Sequence, residues 1–153
     1  MLQPRMGNAP DLSNIPWAAD NDCFAAGDIF EFGAFLAWLM RRCQYRGSCL
    51  FAVAPDVLGD AEATWERSAP ALSQIKSLGF KTAFVAQDGI ERQPVDWDAF
   101  DVLFIGGSTK WKLSHHAREA RRYREGAREV GTYGAREQRA ALAHRSYVGV
   151  RFR

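Results

Sequence analysis

Hydrogen-bonding residues cluster at four places in the first 112 residues, each directly after a short apolar run. The clusters read AADND, APDVLGD, AQDG and IGGSTKWK, in that order. A carboxylate placed like Asp20 or Asp56 can act as a general base, as a nucleophile or as an acceptor for a ligand N–H. The amide of Gln87 suits the edge of a purine, and Gly106 with Gly107 permits close approach of the backbone to a ligand. The clusters therefore predict a ligand-binding site.

Each of these residues also has a purely structural interpretation. An aspartate after a strand often caps the next helix, and the QDG segment and the paired glycines can form ordinary turns. No G-x-G-x-x-G or Walker pattern follows any of the runs, which argues against a nucleotide phosphate site. His115, His116 and His144 show no Cys or Glu partner at metal spacing, so we expect solvated histidines, no metal and no cofactor.

The elements that position the clusters are predicted from apolar periodicity. The apolar runs at 15–19, 49–54, 81–86 and 101–105 predict four strands. An amphipathic stretch between the first two strands predicts a helix whose stripe comprises Ile29, Phe32, Leu36, Leu39 and Met40. A second amphipathic stretch, interrupted by Pro70, predicts a helix between the second and third strands, and another helix is expected after Trp111.

Apolar strands that alternate with helices imply an α/β fold with a parallel sheet. An open doubly wound sheet and a (β/α)8 barrel both fit this order. The carboxyl ends of the strands, where the four clusters lie, bind ligands in both architectures. A barrel needs at least about 200 residues, so a chain of 153 residues would hold only part of one.

The composition fits one globular domain, with 47% hydrophobic residues. No apolar run is long enough for a membrane span, and the N-terminal segment lacks the pattern of a signal peptide. We expect a cytoplasmic protein without a membrane partner. Cys23, Cys43 and Cys49 are odd in number and lack CxxC spacing, so we expect buried thiols.

The charge is distributed unevenly along the chain. Residues 1–112 hold 10 Lys and Arg against 14 Asp and Glu, whereas residues 113–153 hold 10 arginines against 4 glutamates. Apolar periodicity also ends near residue 113. We therefore predict an α/β unit over 1–112 and a poorly ordered, Arg-rich tail over 113–153.

Taken together, the segments between residues 16 and 112 resemble the tRNA-guanine transglycosylase superfamily, above all its phage and bacterial branch that inserts 7-deazaguanine derivatives into DNA. ADNDCF is similar to the family's aspartate segment before its first active-site helix, and FAVAPDVLGDA to the strand whose aspartate reads the guanine edge. VAQDG is similar to the glutamine segment, and FIGGSTKWK to the Gly-Gly base-binding loop. The sequence departs from the family at Asp22, where glycine is expected, and it lacks the family's zinc-binding cysteine cluster.

The resemblance implies the front half of a (β/α)8 TIM barrel and a pentosyltransferase that exchanges guanine for a 7-deazaguanine base in DNA or tRNA. It implies that Asp20 is the general acid/base and that Asp56, Gln87, Gly106 and Gly107 bind the base. In such an exchange an aspartate attacks the sugar C1′ and holds a covalent intermediate while the bases swap. The target base must also leave the stack to reach the pocket.

The family's nucleophilic aspartate is missing from this sequence. It is expected in a motif like CDSVDGT, after a segment resembling KWVHMGRVNS, and neither occurs in residues 113–153. We therefore expect a C-terminally truncated and inactive relative. The alternative is a small α/β adaptor that binds nucleic acid through its Arg-rich tail. A third possibility, an open-sheet hydrolase, lacks the G-x-S-x-G elbow.

We predict that a shifted reading frame of the gene encodes the missing segments, beginning between codons 113 and 120. With CGN codons for arginine, residues 130–138 read from the second base permit Trp-Val-His-Met-Gly-Arg-Val-Asn-Ser, and residues 150–153 permit Cys-Asp-Ser. The arginines would then be a by-product of GC-rich codons. Sequencing the gene tests this, and a stop codon between the two segments in the shifted frame would contradict it.

Overall fold

The computed structural model describes residues 1–7 and 11–120. Four strands form one sheet: β1 (Trp17–Ala19), β2 (Cys49–Val53), β3 (Thr82–Ala86) and β4 (Val102–Ile105). The α-helices are α1 (Cys23–Ala26), α2 (Phe32–Met40), α3 (Ala61–Ser77) and α4 (Thr109–Lys112). Short 3-10 helices lie at Pro4–Met6, Gly27–Ile29, Cys43–Tyr45 and Ile90–Arg92. The predicted alternation of strands and helices is therefore confirmed.

The sheet is parallel throughout, and its strands lie side by side in chain order, β1-β2-β3-β4. The pairing of β3 with β4 is regular from Ala83 opposite Val102 to Ala86 opposite Ile105. The pairing of β1 with β2 shifts by one residue between Trp17 and Ala19. Such a bulge redirects the chain that follows it, and here that chain carries Asp20.

The two faces of the sheet are covered differently. One face packs against the helices and forms the main core, to which α2, α3 and α4 contribute Phe35, Leu72 and Trp111 among others. The apolar cluster on the other face contains only strand residues, namely Ala18, Phe51, Val53, Ala83, Val85 and Val102, with Phe104 packed against them. The helices of the described part that enter the core therefore lie on one side of the sheet.

Aromatic side chains fix β1 against its neighbours. The Trp17 ring lies edge-on to both Trp38 and Phe80, with ring centroids 6.2 Å apart in each pair. Trp38 also stacks on Phe35 at 5.9 Å. Such pairs contribute about 0.5 to 1.5 kcal/mol each beyond their buried area. The Trp17 indole N–H donates to the Tyr45 carbonyl at 3.2 Å, so this short strand has a fixed position.

The predicted stripe on the first long helix is confirmed for Leu39 and, as partly buried residues packed against the core, for Phe32 and Leu36, but it is wrong for its two end residues. Ile29 is 79% exposed and Met40 is 60% exposed, whereas Phe35, Trp38 and Leu39 are buried. The reason is that Ile29 belongs to a separate 3-10 helix, so the α-helical period begins only at residue 32. The buried face is the one that brings the aromatic rings against the sheet.

Two other boundaries differ from the predicted ones. Helix α3 is continuous through Pro70. Pro70 is exposed, so the proline ring does not enter the core, and the hydrogen bond that proline cannot donate is absent on the solvent side of the helix. Strand β1 begins at residue 17 and not at 15, because Pro16 cannot donate a ladder hydrogen bond and Ile15 is 51% exposed.

The predicted boundary at residue 113 lies within the described part. Residues 115–120 are helical, and Ala117 and Ala120 are buried in the main core. The remainder of the Arg-rich tail lies outside the described residues, so its order and the adaptor function stay predictions. Among the described residues, no helix has the length and apolar character needed to cross a membrane.

We expect neighbouring residues of α2 to respond very differently to truncation. Leu39 has no exposed surface, so Leu39→Ala should lower the free energy of unfolding by about 2 to 5 kcal/mol through lost burial and a cavity. Met40→Ala, at an exposed position, should change it by no more than about 0.5 kcal/mol. Urea unfolding of both variants measures this, and equal losses would contradict the observed helix phase.

Candidate functional site

The four predicted clusters lie in the loops after β1, β2, β3 and β4, at the end of the sheet where the carboxyl ends of the strands lie. Parallel pairing in chain order brings these loops together, as expected for a sheet that binds ligands at the carboxyl ends of its strands. The contacts between the loops, however, involve some residues that the sequence did not single out.

Helix α3 holds the loop that carries Asp56. The Ser68 hydroxyl donates to the Pro55 carbonyl at 2.8 Å. The Thr64 hydroxyl donates to the Val57 carbonyl at 3.0 Å and accepts from the Val57 N–H at 2.9 Å. Both helix residues are buried. The backbone on either side of Asp56 is therefore tied to a helix that is itself packed on the sheet.

Asp56 is half-buried and receives hydrogen bonds from two neighbouring loops. The Gln87 amide N–H donates to its Oδ2 at 2.5 Å, and the Cys23 thiol donates to its Oδ1 at 3.2 Å. The helix cap of α3 is instead Asp60, whose Oδ1 accepts from the Ala63 N–H at 3.0 Å. The capping interpretation of Asp56 is thus excluded, and its carboxylate faces the strand-end loops.

Gln87 joins two loops by both ends of its amide. Its side chain is buried, its N–H donates to Asp56, and its Oε1 accepts from the Gly59 N–H at 2.9 Å. Half of its hydrogen-bonding capacity is used in this way, since an amide offers two N–H groups and two oxygen lone pairs. The observed arrangement makes Gln87 a positioning residue for the carboxylate.

Gly106 and Gly107 lie close against the loop after β3. A Cβ at Gly106 would lie 2.6 Å from the Val85 Cγ1 and 2.9 Å from the Gln87 Nε2. A Cβ at Gly107, whose φ is +80°, would lie 2.5 Å from the Asp88 Oδ1. Only glycine fits at these two positions without displacing neighbouring atoms, so the pair allows the Gln87 loop to pack closely against the end of β4.

Asp20 lies apart from this network. Its Oδ1 accepts from the Asp22 N–H at 3.1 Å, and its Oδ2 accepts from the Gln3 amide at 3.1 Å. Asp22 has a φ of +64°, in the region that favours glycine, and its carboxylate pairs with Arg5. Among the described residues, Asp22 alone combines a side chain other than glycine's with a positive φ. Within the described part of the chain, no hydrogen bond joins Asp20 directly to Asp56.

A cavity of about 360 Å³ opens beside Asp56. Of the five predicted site residues only Asp56 lines it, together with Cys23, Phe24, Gly27, Asp28, Phe30, Val57, Leu58 and Arg67. Phe24 and Leu58 are 76% and 60% exposed, so they form an apolar rim of the cavity. Arg67 lies with its guanidinium 5.0 Å from the Phe30 ring and donates to the Asp56 carbonyl at 3.1 Å.

Cys23 is the main residue of this site that sequence reasoning missed. Burial, together with the charge of the Asp56 carboxylate, raises the pKa of its thiol to about 12. The thiol therefore stays protonated at neutral pH, donates to Asp56 and is not a nucleophile. The prediction of buried thiols is confirmed for Cys23 and Cys49, while Cys43 is partly buried.

The expectation that the histidines have no Glu partner at metal spacing is wrong for His115 and His116, whereas His115 is exposed to solvent as expected. His115, His116 and Glu119 place their ligand atoms within 4.8 Å of one another. The spacings of three and four residues along a helix could have shown this, because they bring side chains to one face. His144 lies outside the described residues.

Comparisons of the chain with models of protein families, with curated proteins and with solved structures find no match. The functional interpretation therefore rests on the contacts described above.

We expect alanine at residue 106 to disturb the link between Gln87 and Asp56. Gly106→Ala should lower the free energy of unfolding by about 1 to 3 kcal/mol, because its Cβ overlaps Val85 and the Gln87 amide. Gly33→Ala, where a Cβ meets open space, should be neutral or stabilising by up to about 1 kcal/mol. Urea unfolding and the side-chain amide NMR signals of Gln87 measure both effects, and an unchanged Gln87 signal in Gly106→Ala would contradict the proposed packing.

Proposed function

We propose that this chain is the front part of a (β/α)8 barrel of the transglycosylase type, and that it binds a guanine-like base at the carboxyl ends of its strands. The observation that carries the proposal is the half-buried Asp56 carboxylate, which lines the cavity and accepts from the Gln87 amide at 2.5 Å. A fixed acceptor beside a cavity is what recognition of the guanine N1–H and amino group requires.

The strand order and the side of the sheet on which the helices pack support the barrel. Doubly wound sheets reverse their strand order and carry helices on both faces, whereas β1 to β4 follow chain order and their core-forming helices lie on one face. The opposite face is lined by alternate strand residues alone, as the interior of a barrel is. Right-handed crossovers that continue in one direction curl a sheet in this way.

The chemistry of the carboxylate supports guanine over adenine. Each oxygen of Asp56 accepts one protein hydrogen bond and retains a lone pair for a ligand. Guanine offers two donors on its Watson–Crick edge, the N1–H and the 2-amino group, where adenine has the N1 acceptor and a C2–H and so lacks both donors. An acceptor left unmatched in a partly buried site costs about 1 to 3 kcal/mol, so adenine should bind weakly.

The loop after β1 supports the family assignment as well. Asp22 stands where the family has glycine, and its positive φ is the conformation that glycine would adopt. In this proposal Asp20 is the general acid/base, the role that the resemblance implies, and it lies outside the lining of the cavity. Phe24 on the rim of the cavity offers an exposed ring to a base that has left its stack.

We propose base binding for this chain, since base exchange also requires the nucleophilic aspartate, and the sequence as given holds no match to the segment expected to carry it. The acid/base and base-reading groups alone cannot form the covalent intermediate that exchange requires. DNA or tRNA is then the partner of the complete activity, and a free 7-deazaguanine base is the ligand to test here.

Calorimetric titration with a 7-deazaguanine and with adenine tests the proposal. The deazaguanine should bind at least about 10-fold more tightly, which corresponds to about 1.4 kcal/mol. Asp56→Asn should remove this preference, since it replaces an acceptor by a donor. Asp60→Asn is the matched control, because Asn also caps helices and Asp60 is exposed. Equal affinity for the two bases, or equal effects of the two variants, would refute guanine recognition by Asp56.

A further inference from the structure

We propose that His115, His116, Glu119 and Glu91 form a binding site for one divalent transition-metal ion. The site joins the helix at residues 115–120 to the 3-10 helix Ile90–Arg92 that follows β3. It lies outside the cavity beside Asp56 and does not depend on the function proposed for that cavity.

The ligand atoms already stand near coordination spacing. His116 Nδ1 lies 3.5 Å from the Glu119 Oε2 and 3.8 Å from the Glu91 Oε1. Ligand atoms around a tetrahedral ion with bonds of about 2.1 Å are about 3.4 Å apart. His115 brings its ligand atom within 4.8 Å of those of His116 and Glu119. Three ligand atoms on the helix thus lie close together, and Glu91 approaches them through His116.

Two separate elements supply the ligands. His115 and Glu119 are four residues apart, and His116 and Glu119 three apart, so one helix presents all three on one side. Glu91 approaches from the other element, and its side chain is only 10% exposed. An ion held in this way would tie the loop after β3 to the helix after β4.

The His116 nitrogen is the observation that favours an ion. His116 Nδ1 is a buried atom that has no hydrogen-bond partner within the described part of the chain. Two carboxylates lie within 3.8 Å of it, and an ionised carboxylate cannot donate a hydrogen bond. A metal ion would satisfy the nitrogen and both carboxylates together. The competing arrangement is an imidazolium between two carboxylates, and it is the alternative outcome of the test.

The surroundings of Glu91 resemble the outer shell of a metal site. The Trp111 indole N–H donates to its Oε2 at 3.4 Å, which orients the carboxylate with Oε1 toward His116. The Arg92 guanidinium lies 3.6 Å from the same Oε1, but its side chain is 76% exposed and can move away. Two imidazoles with two carboxylates favour Zn²⁺ or a neighbouring transition metal over Ca²⁺ or Mg²⁺.

Calorimetric titration of the chelator-treated, full chain with Zn²⁺ tests the site, with Co²⁺ absorption as a report of tetrahedral coordination. We expect one ion per chain and a higher thermal unfolding midpoint with Zn²⁺. His116→Ala, Glu91→Gln and Glu119→Gln should each weaken binding by at least about 10-fold. Glu62→Gln, at an exposed residue of α3, is the matched control and should bind as the unaltered chain does.

Absence of saturable binding by the unaltered chain would overturn the proposal and leave His116 as the cation of an ion-pair cluster. Unchanged affinity in His116→Ala, or in both glutamate variants, would overturn it too. Glu119 is partly exposed, so its variant stays informative if the Glu91 variant does not fold. Circular dichroism of each variant without metal establishes which of them are folded.

Discussion

The hydrogen bond between Gln87 and Asp56 joins the ends of β3 and β2, and the candidate site is organised around it. The bond fixes the carboxylate of Asp56, and the other end of the Gln87 amide fixes the loop at Gly59. Gln87 can occupy its place only because Gly106, at the end of β4, has no side chain. Three neighbouring strand ends therefore depend on one buried amide.

The rest of the fold makes this bond possible. Parallel strands in chain order bring the ends of β2, β3 and β4 to one edge, and α3 holds the loop after β2 through Thr64 and Ser68. At the outer side of β1, the Leu2 N–H donates to the Ala18 carbonyl, and the Asp20 N–H donates to the Leu2 carbonyl. These contacts extend the strand pairing and place Asp20 beside residues of the N-terminal segment.

The sequence predicts the order of the elements better than it predicts their contacts. Strands β2, β3 and β4 begin and end within one residue of their predicted limits, because a short apolar run bounded by polar clusters is typical of a buried strand. The buried face of α2 is predicted only in part, with Phe35 and Trp38 missed, because the phase of a helix depends on where it begins and on the rings that it meets, here those of Trp17 and Phe80. Pro70 predicts an interruption that α3 does not have. The helix tolerates this proline because Pro70 is exposed, and exposure, like the phase of α2, depends on tertiary packing.

The same distinction applies to the candidate site. Asp56, Gln87 and Gly106 are predicted from their places after strands, and the structure brings these three together. Asp20 is predicted in the same way, but its contacts are to Gln3 and to its own loop. Cys23 escapes prediction because its importance depends on a contact across 33 residues of sequence. Long-range contacts of this kind are what one sequence without relatives does not reveal.

A crystal structure of the chain with a 7-deazaguanine base is the most direct test of the central claim, that Asp56 is a fixed acceptor for a guanine-like edge. The account predicts the base in the cavity, with its N1–H and amino group about 3 Å from the Asp56 carboxylate and with Gln87 still bonded to Asp56. A base bound elsewhere, or a base in the cavity that leaves the Asp56 carboxylate without a ligand contact, would contradict the account.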